Sequence, residues 1–156
     1  FRTNLSDLLS HKGVISQSPW FLSCGIMNRY RSKEDEMALV EIHARLANTT
    51  VLFCVIMALW GSVRFLRKKG VTGSYWGATV IAEILIFLQG VLGIYLWIIS
   101  LRPDRGIHPL YGVVTALAIP FVYVFTKGRE DRPEMLMYSV AFLMMIGLLL
   151  RAIVTG

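Results

Sequence analysis

Four apolar stretches, at residues 46–63, 74–101, 107–126 and 135–150, take up most of the chain after a polar start. Each reaches or nearly reaches, once its flanks are counted, the length a helix rising about 1.5 Å per residue needs to cross a hydrocarbon core of about 30 Å. A backbone in lipid must satisfy its own N–H and C=O groups. None of the stretches alternates apolar and polar residues as a barrel strand would, so helix is the form left to them. For 156 residues, a 55% hydrophobic content and a mean hydropathy of +0.58 are high for a water-soluble fold. The sequence therefore predicts an all-α, integral membrane four-helix bundle with a polar N-terminal tail.

The tail covers residues 1–36 and ends in "NRYRSKEDE". The bundle covers 37–156, with helices expected at about 40–66, 74–101, 107–127 and 134–154. The tail is expected to lie on the membrane surface or on a partner, and Met27 leaves the first 26 residues as an extension of open status. The connections "RFLRKKGVTG", "LRPDRGIHP" and "KGREDRPE" are short and carry the Gly or Pro that ends helices. Short connections make neighbours antiparallel, so the first and third helices run one way and the second and fourth the other.

Arg64, Arg67, Lys68, Lys69, Lys127, Arg129 and Arg132 then share one side of the membrane, against Arg102 and Arg105 in the opposite loop and Arg29, Arg31 and Lys33 in the tail. The bias of basic residues toward the cytoplasm puts the seven inside and both termini on the non-cytoplasmic side. The net charge of +6 sits at the ends of apolar runs and forms no stripe, which speaks for interfacial anchoring and against nucleic acid. The expected surroundings are the lipid bilayer and other membrane subunits.

Two histidines belong to the membrane region, His43 at the start of the first helix and His108 at the start of the third. Co-oriented helices place both imidazoles at one end of the bundle and at similar depth. Two neutral imidazoles facing each other across a four-helix bundle can hold a heme iron from both sides. A single imidazole can also hold the magnesium of a chlorophyll-type tetrapyrrole, and a histidine at a headgroup boundary can serve as a polar amphipath with no cofactor.

Arg45 and Arg151 reach the same end, where an arginine can pair with the propionate carboxylates of a heme or snorkel to headgroups. "FLQGVLGIYLW" brings Gln89, Gly90 and Gly93 toward that end on the second helix, and Gly112 lies one turn beyond His108 on the third. Glycine in a membrane helix lets another body come close, a helix or a flat macrocycle. Glu83 stands about 13 Å into the second helix by helical rise, a depth at which a carboxylate is a proton relay, ion site or hydrogen-bond anchor, or else a protonated glutamic acid bonded to a neighbouring Thr or Tyr.

Pro120 is expected to kink the third helix. Cys24 and Cys54 are too few and too badly placed for a disulfide framework, and His11 has no neighbouring ligand residues. No phosphate loop, dinucleotide fingerprint or HExxH pair is present, so the enzyme classes that depend on them have no support.

"VEIHARLANTTVLFCVIMALWGSVRF", "ILIFLQGVLGIYL", "GIHPLYG" and "GLLLRAIVTG" together resemble one four-helix half of heme A synthase, over residues 40–156. The resemblance implies that His43 and His108 are paired axial ligands of a b-type heme near the outer face. It also differs from the family. The helix order is permuted, one bundle stands where the family has two, and the cysteine pair of the family's outer loop is missing. The family's catalytic acid stands three residues before its histidine, whereas Glu41 stands two before His43, about 200° around the helix.

The expectation is a heme-binding membrane subunit for electron transfer, with one heme b in a larger respiratory or photosynthetic complex. The alternatives are a cofactor-free or pigment-binding structural subunit, and a heme-modifying enzyme related to heme A synthase.

Overall fold

In the computed structural model the described residues are 19–99 and 106–156, with side chains described from Lys33 onward. The readings made for His11, the Cys24 side chain, Arg29, Arg31, Arg102 and Arg105 lie outside them. The described residues form helices α1 (Pro19–Leu66), α2 (Gly73–Ile98), α3 (His108–Thr126) and α4 (Arg132–Thr155), with no strand among them. All four are long and apolar enough to cross a membrane, and the protein is an all-helical integral membrane protein. The chain divides into one unit ending at Val40 and a second, Glu41–Gly156, that holds the bundle.

Three of the four helices start and stop within about three residues of the sequence expectation. α1 does not: it begins at Pro19, where the sequence suggests a start near residue 40. The physical reason is composition. "NRYRSKEDEM" is made largely of good helix formers and carries neither Gly nor Pro, so its polarity marks where the apolar run begins and not where the helix begins. Pro120 lies inside α3, which continues through it to Thr126.

Each helix buries one stripe at helical spacing. In α1 the stripe is Ala47, Thr50, Cys54, Met57, Ala58 and Gly61; in α2 it is Tyr75, Thr79, Ala82, Ile86 and Leu96. In α4 it runs through Met135, Tyr138, Phe142, Met145 and Leu149. The opposite faces are apolar too: Leu66, Ile98, Phe121 and Val124 are each 70–75% exposed. A helix apolar on both faces suits lipid outside and protein inside.

Large side chains fill the half of the bundle near the basic loops. Tyr75 donates to the Met57 carbonyl (3.3 Å) and packs edge-on against Phe142 and Trp60. Trp76 packs edge-on against both Tyr123 and Tyr138. Gly61 lies where a Cβ would stand 2.7 Å from the Tyr75 hydroxyl and 3.1 Å from Met135 Cε, which is how α1 comes close to α2 and α4.

That end is also tied shut. α1 and α3 finish alike, each with a lysine in the left-handed region, Lys68 at φ 56° and Lys127 at φ 52°. The next N–H in each case closes back on the helix, Lys69 to the Arg64 carbonyl (3.0 Å) and Gly128 to the Tyr123 carbonyl (3.2 Å). Arg64 donates twice to the Gly70 carbonyl, Val71 donates to the Glu130 carbonyl (2.9 Å), and a Cβ on Gly70 would collide with that same Glu130 carbonyl. The Arg132 guanidinium sits 4.6 Å over the Phe65 ring. The two basic loops are thereby one layer.

Candidate functional site

The opposite end is built differently. Its buried side chains are mostly small, Ala47, Thr50, Thr115 and Thr155 with Leu96 and Leu149, and its distinctive groups are polar. His43 falls on the buried stripe of α1 because it stands four residues before Ala47 and seven before Thr50. Gln89 and Gly93 continue the stripe of α2, three and seven residues after Ile86. His108 opens α3, seven residues before the buried Thr115. Ala152 and Gly156 end α4, three and seven residues after Leu149. All four helices therefore meet at this point.

The imidazoles of His43 and His108 come together with ring centroids 6.1 Å apart and planes inclined by 57°. An imidazole nitrogen binds a metal at about 2 Å, so with the ring's own half-width on both sides two trans ligands have centroids roughly 6 Å apart. That spacing suits two imidazoles with one metal ion between them, and equally a direct contact of two rings, whose centroids ordinarily lie about 4.5–7 Å apart.

The hydrogen bonds define both tautomers. His108 Nδ1 lies 2.8 Å from the Ala152 carbonyl oxygen. A carbonyl only accepts, so Nδ1 carries the proton and Nε2 keeps its lone pair, the arrangement that fixes ligand histidines through their second nitrogen. At His43 the Gln89 amide nitrogen donates to the His43 carbonyl oxygen (3.0 Å) and stands 3.3 Å from His43 Nε2. An amide N–H only donates, so His43 Nε2 is again the lone-pair nitrogen. Two unsatisfied groups remain at this spot, His43 Nδ1 and Gln89 Oε1, both buried without a hydrogen-bond partner. An unpaired buried polar group costs about 1–3 kcal/mol.

The glycines divide. A Cβ on Gly93 would lie 3.3 Å from His43 Cε1, so Gly93 makes room for that ring. Gly90 and Gly112 are exposed, and a Cβ at either would meet nothing within 4 Å. A Cβ at either would not touch the histidines. Gly156, which the sequence reading did not single out, is the tightest: its Cβ would lie 2.7 Å from His108 Cε1 and 2.8 Å from Nδ1.

The two arginines are at this end but outside the ring contact. Arg45 is exposed and pairs with Glu41 one turn earlier on its own helix (2.5 Å). Arg151 is exposed on α4. The site residues that sequence reasoning missed are Ala152, which acts through its backbone carbonyl, and Gly156. A carbonyl leaves no mark in sequence; the signal for Gly156 is its place seven residues after Leu149 on the α4 stripe.

Among the described residues no group of three or more His, Cys, Asp or Glu could hold a bare metal ion. Two donors suffice for a metal whose remaining ligands come from a macrocycle. Comparison of the chain with protein-family models, with curated proteins and with solved structures returns no match.

Proposed function

We propose that this membrane bundle binds one b-type heme between His43 and His108 and carries single electrons. The observation that carries the reading is the pair of imidazoles brought together at 6.1 Å, both with Nε2 as the lone-pair nitrogen. The likeness to one half of heme A synthase points to the same two residues. Bound heme supplies a one-electron couple at its iron.

What this chain's residues contribute is orientation and surroundings. The Ala152 carbonyl holds the His108 ring and its tautomer, and Gly156 gives that ring its room. Gly93 does the same for His43. Gln89 now donates toward His43 Nε2, so ligation at that nitrogen requires the amide to give up the contact. Its partnerless Oε1, and the partnerless His43 Nδ1, are groups a rearranged, loaded site can satisfy. Arg45 and Arg151 stand exposed at the same end, where carboxylates of a heme edge would reach the membrane surface.

The seven basic residues of the tied loops face the cytoplasm in this reading, with the histidine end and both termini on the far side. Other membrane subunits supply and remove the electron.

A heme-modifying enzyme is the weaker reading, because it needs an acid at the histidines. Glu41 is exposed and engaged by Arg45. The test is the absorbance of purified protein: a Soret band that His43→Ala and His108→Ala each abolish supports the proposal. A colourless wild type, or a band that survives both substitutions, ends it.

A further inference from the structure

Glu83 is the group that the histidine site leaves unexplained. It sits near the middle of α2, next to the buried Ala82, and its Oε2 is buried without a hydrogen-bond partner. A carboxylate in the hydrocarbon region persists only if it is neutral or if a positive charge is near enough to stabilise it.

The residues around it supply no such charge. In the spans 46–63, 76–94, 112–122 and 139–150, which pass between the histidine layer and the basic-loop layer, there is no Lys, Arg or His. The same spans hold two titratable side chains, Glu83 on α2 and Cys54 on α1. Cys54 is fully buried. From α3 and α4 no titratable or charged side chain faces this level: those of α3 are His108, Tyr111 and Tyr123, and those of α4 are Arg132, Glu134, Tyr138 and Arg151, all toward the helix ends. A positive charge that could favour a Glu83 anion would then have to come with a cofactor held at the histidine pair. Gln89, which touches His43, lies six residues beyond Glu83, about 9 Å of helical rise. In a low-dielectric interior, charges couple over that distance with little screening.

We infer that Glu83 is a redox-linked protonation site: it takes up one proton when the histidine-held centre gains one electron, and releases it on reoxidation. The inference rests on the heme reading above. In the oxidised state the centre carries one more positive charge and favours the Glu83 carboxylate. When a one-electron donor reduced a heme bound there, that charge would be lost, and the Glu83 carboxylate would form an O–H bond with a proton drawn from water. The net charge of the membrane interior is unchanged by the pair of events.

The test is a redox titration of the whole purified protein across about pH 5 to 9, the range that buried carboxyl groups reach. In the wild type the reduction equilibrium should shift by up to tenfold per pH unit, about 59 mV for one electron, toward lower potential as pH rises. Glu83→Gln should flatten that dependence while keeping the Soret band, and Glu83→Asp should restore part of it. A reduced-minus-oxidised infrared spectrum of the unaltered protein should show a carboxylic C=O band that grows on reduction and shifts in heavy water. That arm holds even if the variants do not fold. A slope unchanged in Glu83→Gln, or no such band in the wild type, overturns the inference about Glu83 alone. A wild type that purifies without heme overturns the reading on which it rests.

Discussion

His108 is held by a single strong contact, its Nδ1–H on the Ala152 carbonyl, and by the absence of a side chain on Gly156. Both act on the ring without touching what the ring would bind. Gly156→Ala puts a methyl group inside van der Waals distance of two ring atoms, so the imidazole must swing and the Nδ1 bond must stretch. Groups that orient a ligand histidine typically change affinity for what it binds by about 10–100-fold when removed. Gly156→Ala should therefore lower heme retention by that order while leaving the helix content of the bundle intact. The check is heme-to-protein ratio against far-ultraviolet circular dichroism. Gly112→Ala, where a Cβ meets nothing within 4 Å, is the control and should keep the fold unchanged. Equal loss of heme and of helix in Gly156→Ala would contradict the positioning role.

At the scale of elements, α1 and α2 are joined twice: by the Tyr75 hydroxyl on the Met57 carbonyl at one end and by Gln89 on the His43 carbonyl at the other. Tyr75→Phe removes one bond from a packed, buried ring and should cost about 1 kcal/mol of stability. Gly61→Leu pushes a branched side chain into Tyr75, Ser139 and Met135 at once and should cost more, in the range of about 1–3 kcal/mol for overpacking. Chemical denaturation in detergent ranks the two, and a Gly61→Leu protein as stable as wild type would contradict the close approach.

The helices themselves were legible because apolar length and flanking Gly or Pro report directly on a lipid-spanning rod, and three boundaries fell within about three residues. The start of α1 was not, since a polar helix and a polar tail share their composition. That His43 and His108 come together at one end of the bundle was legible from co-orientation alone. The division between Gly93 and Gly90 was not, because the two lie in "LQGVLG" only about 60° apart around the helix, yet a Cβ on Gly93 would stand 3.3 Å from His43 and one on Gly90 would meet nothing within 4 Å. The Ala152 carbonyl could not have been read at all.

For the whole molecule, the two ends of the bundle have separate characters. One is a closed layer of arginine caps, left-handed lysines and aromatic edges; the other is a meeting of four helix stripes on polar groups that lack partners. In a membrane this asymmetry implies a fixed orientation. In the orientation proposed from the basic-residue bias the basic layer lies on the cytoplasmic side, so Lys127→Cys, in a background with Cys24 and Cys54 replaced by Ser and Ala, should react with a membrane-impermeant thiol reagent in inside-out vesicles and not in intact cells. Labelling in intact cells would reverse the orientation. It would also move the histidine end, and any electron partner that meets it, to the cytoplasmic face.

The central claim is that His43 and His108 hold one heme between them. The most direct measurement is a reduced-minus-oxidised absorbance spectrum of the purified protein, followed by pyridine extraction to identify and count the heme. The expected result is one b-type heme per chain with a low-spin, six-coordinate spectrum, lost when either histidine becomes alanine. Protein that carries no heme after purification and also fails to bind added hemin would contradict it.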